Sequence, residues 1–146
     1  MAESIIIHFS TDNILKVEEI LHQQFIQVYE YELRYPMMYP LVYPIVYPID
    51  NYLIMVSPYK DFDNEYDNID KEKIIEKMGL KPSLSYDFEI RRSKSDEACD
   101  LLESFIRNHL HDFNYLVDDM QNFLSKEEIK NSDTFLDLYR YEKGKT

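Results

Sequence analysis

The chain is poor in the residues that most chemistry and most flexible linkers need. Of its 146 residues one is cysteine, two are glycine and none is tryptophan. A single Cys99 permits no internal disulfide and fits a reducing compartment. Gly79 and Gly144 cannot build a phosphate-binding loop, and no Rossmann, P-loop or nucleophile-elbow spacing occurs. Met1 to Phe9 has no basic region ahead of its three isoleucines, which argues against a signal peptide. No apolar run is long enough to span a bilayer. These absences lead to the expectation of a soluble cytoplasmic protein without a cofactor or a metal.

Basic residues are also scarce: 16 against 28 acidic ones, for a net charge of −12. Such a surface is repelled by nucleic-acid phosphates and by anionic membranes. It is attracted over long range to a basic protein, although acidity also serves solubility alone. Hydrophobic residues make up 45% of the chain, enough for a core in one domain spanning residues 1–146.

What is present in excess is tyrosine before proline. Tyr35-Pro36, Tyr39-Pro40, Tyr43-Pro44 and Tyr47-Pro48 follow one another at a spacing of four, within a repeat segment at 35–50. Proline at each fourth position excludes a regular helix, and each preceding tyrosine is pushed toward extended backbone. From Tyr35 to Ile49 there is no charged side chain. Three readings stand open: a crossing packed over the sheet, an arm that docks on a partner or on a second copy as a homodimer, or a tandem expansion in a tolerant loop. Rigid tyrosines on preordered backbone suit an interface, which makes Tyr35, Tyr39, Tyr43 and Tyr47 candidate partner contacts.

Patterning predicts an α+β domain: a largely antiparallel sheet with about three helices packed on one face. Ser4–Phe9 reads as a strand. Ser10 or Thr11 is expected to cap a helix carrying Ile14, Val17, Leu21 and Phe25. Ile26–Arg34 and Tyr52–Val56 read as strands, with Pro58 as a stop. Residues 61–68 read as an acidic loop, and Asp70 as the cap of a short helix closed by Gly79 in the left-handed conformation, with Leu80 folding back on it. Leu84, Tyr86, Phe88 and Ile90 alternate with Ser85, Asp87, Glu89 and Arg91, giving one dry face and one wet. Leu101, Leu102, Phe105, Ile106, His109 and Leu110 form the inner stripe of the strongest helix. Residues 115–124 can be strand or helix, Ser125–Ser132 is polar, and Phe135–Tyr141 reads as a last strand.

The acidic loop invites a metal reading. Asp61, Asp63, Glu65 and Asp67 fall at positions 1, 3, 5 and 7 of a calcium-loop template and Glu72 at position 12. Position 6, which needs glycine for the sharp turn, is Tyr66. The better expectation is that Asp61, Asp63, Glu65 and Asp67 contact a basic protein surface. His109 and His111 point apart on a helix, and His8 and His22 have no sequence neighbours to share a metal. Cys99, among acidic residues, is expected to be a small packing residue.

The Gly79-Leu80-Lys81-Pro82 turn, the alternating strand from Leu84 to Ile90, the helix through Leu101 to Leu110 and the closing Leu138-Tyr139-Arg140 are shared features. Through them the segment Met78–Tyr141 resembles the C-terminal half of small bacterial immunity proteins of polymorphic-toxin systems. The resemblance covers under half the chain. Where such proteins often turn through Asn-Gly, this chain has Asp118-Asp119-Met120 and then an insertion up to Asp133, and the Tyr-Pro repeat has no counterpart. The resemblance implies a protein that holds a cognate toxin inactive by stoichiometric binding. Two further classes fit the composition: a phage or mobile-element inhibitor of a host defence enzyme, and a small-ligand enzyme or carrier with tyrosines lining a pocket.

Overall fold

Ile5, Ile6 and Ile7 lie on the middle strand of a five-stranded antiparallel sheet. The computed structural model describes residues 2–29, 54–59, 62–91, 95–120 and 122–132. The Tyr-Pro repeat with Tyr35, Tyr39, Tyr43 and Tyr47, the residue Asp61, and the strand expected at Phe135–Tyr141 lie outside them. In chain order the elements are β1 (Ala2–Ser10), α1 (Ile14–Tyr29), β2 (Ile54–Pro58), α2 (Phe62–Glu65), α3 (Asn68–Met78), β3 (Leu84–Arg91), α4 (Ser95–His109), β4 (Asn114–Asp118), β5 (Phe123–Ser125) and α5 (Lys126–Lys130). The strands are ordered β2-β3-β1-β4-β5. The α+β class and the antiparallel sheet are those the pattern predicts.

Strand alternation sorts the side chains onto two faces. Ile5 stands opposite Phe88, and Ile7 opposite both Tyr86 and Val117. With Phe9, Ile54, Val56, Ile90 and Tyr115 they form one buried face. Val17 and Leu21 of α1 cover it, as do Leu102, Phe105 and Ile106 of α4 with Leu110 just past its end, and Ile129 of α5 plugs its edge. Burying a large aliphatic or aromatic side chain contributes about 1.5–3 kcal/mol, so this layer is the main source of stability. Glu18 is buried within it and accepts a hydrogen bond from the Tyr86 hydroxyl at 2.9 Å.

The expectation of all the helices on one face is not met: α1 and α4 share this face with α5, whereas α3 packs with α2 on the opposite one, because the Ile74 and Met78 stripe finds a second apolar patch there. Ile6, His8, Ser85 and Leu116 are buried there too. Phe62, Ile74 and Met78 from α2 and α3 pack on Leu116, making a second, smaller core. The polar members of the alternating β3 pattern, Ser85 and Asp87, thus lie at or near a covered layer.

Local chemistry sets the element ends, in places differently from expectation. Asn13, rather than Ser10 or Thr11, caps α1: its Oδ1 accepts from the Lys16 N–H at 3.1 Å, while Thr11 Oγ1 accepts from the Asn13 N–H. The helix then runs through Ile26–Tyr29, where β-branched residues suggest a strand, because extending a formed helix adds a backbone bond per residue. Ile14 is 42% exposed and is not part of the buried stripe. Residues 62–65 form a helical turn rather than a loop. Asp67, not Asp70, caps α3, its carboxylate accepting from the Asp70 N–H at 2.8 Å. Gly79 closes α3 at φ +86° with its N–H on Ile75 O. Leu80 stays exposed instead of folding back. Residues 114–118 and 123–125 are a hairpin, not a helix. Within the stretch read as merely polar, Ser125 and Glu128 form a capping box that starts α5. Arg107 of α4 ties that helix down by donating to Ile129 O and Ser132 O, each at 2.9 Å.

Candidate functional site

The second face of the sheet carries a chain of polar side chains that ends at a cleft. His8 stands on β1 beside Ser85 of β3, and Ser85 Oγ lies 2.6 Å from His8 Nδ1. His8 Nε2 lies 3.0 Å from the Tyr66 hydroxyl. That hydroxyl in turn donates to Asp118 Oδ2 at 2.6 Å. An ionised carboxylate only accepts, so Tyr66 is the donor to Asp118 and its oxygen takes the Nε2 proton of His8. The Nδ1 of the neutral ring then accepts from the Ser85 hydroxyl. One run of donors thus points from Ser85 to Asp118, and the histidine tautomer is assigned from it.

Tyr66 holds its place by packing. It follows α2 and precedes the Asp67 cap, so the start of α3 anchors it. Its ring meets Phe62, His8, Phe123 and Tyr59 at centroid distances of 5.4, 5.5, 6.1 and 6.4 Å. Edge-on contacts of this kind suit aromatic quadrupoles. The position that a calcium loop reserves for glycine is occupied by the centre of an aromatic cluster.

Burial sets the protonation of the chain. His8 is fully buried, which lowers its pKa from the ordinary 6.5 to about 4, so the ring is neutral. Burial raises the Tyr66 phenol, and its bond to Asp118 raises it further. Burial likewise raises Asp118, against the lowering effect of the Tyr66 and Met120 hydrogen bonds. Asp87, on the same sheet face, is raised by burial; its Oδ2 accepts from Ser4 at 3.2 Å while its Oδ1 is buried without a hydrogen bond.

The β4–β5 turn fixes Asp118 from the other side. Met120 N–H donates to Asp118 Oδ1 at 2.8 Å, and Asn122 N–H to Asp119 Oδ1 at 2.7 Å. Met120 adopts φ +71°, the only positive φ of a non-glycine among the described residues, and is 55% exposed. Between this turn and α3 opens a cleft of about 530 Å³. Tyr66, Asp118, Met120 and Phe123 line it with Glu65, Asp70, Glu128, Lys73 and Lys77. Lys77 is already engaged, 2.7 Å from Glu128 and donating to Phe123 O.

Of the acidic residues singled out by spacing, Glu65 borders this cleft. Asp63 is exposed and pairs with Lys81 at 3.1 Å. Asp67 is exposed, its Oδ1 engaged as the helix cap. Among the described residues no group of three His, Cys, Asp or Glu side chains is gathered to hold a metal ion. His109 leans on Phe105, His111 is exposed beside Asp112, and Cys99 is fully buried in the core. His8, Ser85, Tyr66 and Asp118 were not legible as a group. Their one signal is a histidine that directly follows three isoleucines in a strand, on the same face as Ile6.

No family model matches the chain, and no curated protein or solved structure is significantly similar to it. No helix among the described residues is long and apolar enough to cross a membrane.

Proposed function

We propose that this chain is a binding protein without catalytic turnover, which inhibits a basic protein partner by occlusion in the manner of an immunity protein. The observation that carries this reading is the convergence of carboxylates on one cleft. Glu65, Asp70 and Asp118 border it against Lys73, while Glu128 and Lys77 pair with each other, on a chain of net charge −12. A field of that sign speeds encounter with a basic surface and fixes its register. The exposed Asp63, paired with Lys81, and the exposed Asp67 add acidic groups to the same chain outside the cleft lining. The uncharged Tyr-Pro segment, from its composition, adds aromatic anchors of the kind that dominate binding energy.

Among the described residues, the pairing of Ser85 with His8 suggests a nucleophile but argues for architecture instead. Both residues are buried on the sheet, and neither borders the cleft. A nucleophile must reach its substrate, and Ser85 has no access to one.

Co-expression with the products of neighbouring genes tests the reading. The expected result is a one-to-one complex with a basic protein, whose association rate falls steeply with salt and whose activity is lost in the complex. A chain that forms no complex with any neighbour-encoded protein overturns it. A second reading, a carrier of a small cationic ligand, draws on the cleft itself, whose volume lies in the range of ligand sites.

A further inference from the structure

The geometry points to the cleft as a receptor for a single guanidinium: an arginine side chain of the partner, with its planar cation on Asp118 and its stem against Met120 and Phe123. This rests on the reading of the chain as a binder of a basic protein.

Asp118 carries the argument. It borders the cleft yet is only 4% exposed, so its orientation is fixed before anything binds. Each of its oxygens accepts one hydrogen bond, Oδ2 from Tyr66 and Oδ1 from Met120. A carboxylate has about four acceptor positions, so one remains on each oxygen. Two acceptors side by side match the two parallel N–H groups of an arginine fork. A lysine ammonium, a point charge, makes no such paired contact.

The surroundings select the same occupant. Tyr66 and Phe123 are aromatic residues of the cleft lining, and aromatic rings favour a flat, weakly hydrated cation over an ammonium. Met120 offers an exposed thioether to the aliphatic stem. Its backbone is left-handed, a conformation disfavoured for a side chain of this size, and its N–H donates to Asp118. An anion would meet the Asp118 carboxylate. A divalent cation would lack a third gathered ligand among the described residues, and would face Lys73.

The probe is N-acetyl-arginine methylamide, titrated into the whole chain labelled at its methionine methyls and backbone amides. The lysine and citrulline analogues are the controls, since citrulline keeps the shape of arginine without its charge. The expected result is a saturable shift of the Met120 methyl and of the Asn122 amide with arginine. Lysine should bind about fivefold more weakly, and citrulline should give no saturable shift. Asp118→Asn should weaken arginine binding by about tenfold or more. Lys73→Gln, an exposed change that does not test folding, should tighten it. Equal shifts with citrulline, a response spread over the whole surface, or no saturation with arginine overturns the proposal. A partner complex that forms as tightly with Asp118→Asn as with the unaltered chain sinks the cleft while leaving the binding function in place. Arginine binding in a chain that has no protein partner leaves the cleft standing and sinks occlusion.

Discussion

The hydroxyl of Tyr66 and the carboxylate of Asp118, 2.6 Å apart, join the two halves of the second sheet face. Tyr66 belongs to the connection between α2 and α3, and Asp118 ends β4. Their bond is the point where a buried polar chain meets an open cleft. Its neighbours on either side, His8 and the Met120 N–H, depend on the same two side chains.

Removing the hydroxyl tests that dependence. Tyr66→Phe keeps the ring in its aromatic cluster but leaves His8 Nε2 without its acceptor and Asp118 Oδ2 without its donor. Unsatisfied buried groups destabilise by about 1–3 kcal/mol each, and relaxation at the cleft side softens the second. A loss of about 2 kcal/mol in urea unfolding is expected. The double variant Tyr66→Phe with His8→Phe should lose less than the sum of the two single changes, because the deletions share one bond. Strict additivity would show that the chain does not act as a unit.

Acid stability follows from His8. Its folded pKa is about 4 against an ordinary 6.5, so the unfolded chain takes up a proton first as pH falls. Below about pH 6.5 each step therefore favours unfolding, until the native ring also protonates near pH 4. The shift corresponds to about 3 kcal/mol lost across that window. Asp118 and Asp87 work against it. Their folded pKa values are raised, so protonation relieves them in the native state and restores stability as pH falls through those values. Thermal melts across the acid range should show a steeper loss in Asp118→Asn, where one opposing group is gone, and a shallower one in His8→Phe. Parallel profiles for all three proteins would contradict the assignment of a neutral native histidine.

Much of the fold can be read from local pattern, and the reason is physical. The alternation from Leu84 to Ile90 and the helical stripe from Leu102 to Leu110 each repeat the geometry of the element they form. Gly79 marks the one glycine with a left-handed φ among the described residues, where a helix was expected to end. Ser125 and Glu128 spell a capping box that is readable three residues apart, though in so short a helix no apolar period announces it. The polar chain has no such period. Its links join residues 77, 58 and 52 positions apart, so it takes both the antiparallel register of β1 with β3 and β4 and the packing of α2 and α3 on the sheet to bring them together. Charge spacing pointed to Asp63 and Asp67, which serve an exposed pair and a helix cap. The buried Asp118 looked like one acid among 28.

Gly79 provides a backbone test separate from the site. A β-carbon added there meets nothing within 4 Å, so only the φ of +86° opposes a side chain. Gly79→Ala should destabilise by about 1 kcal/mol, and Gly79→Asn by less, since asparagine tolerates the left-handed region. Chemical denaturation with unchanged slope would measure this directly. A loss several times larger would mean that the turn also packs against something beyond its own backbone.

Met120 poses the converse experiment. A methionine in the left-handed region is held at a cost of about 1–2 kcal/mol, and asparagine occupies that conformation with less strain. Met120→Asn should therefore raise stability by about 0.5–1 kcal/mol while keeping the N–H on Asp118. The same change removes the exposed thioether from the cleft rim, so affinity for the arginine probe should fall by several fold as stability rises. A protein that gains stability and binds unchanged would show that the methionine side chain has no part in the cleft. One that loses both would show that Met120 is packed for stability rather than held strained for contact, because in that case relief of backbone strain would not outweigh the contacts removed.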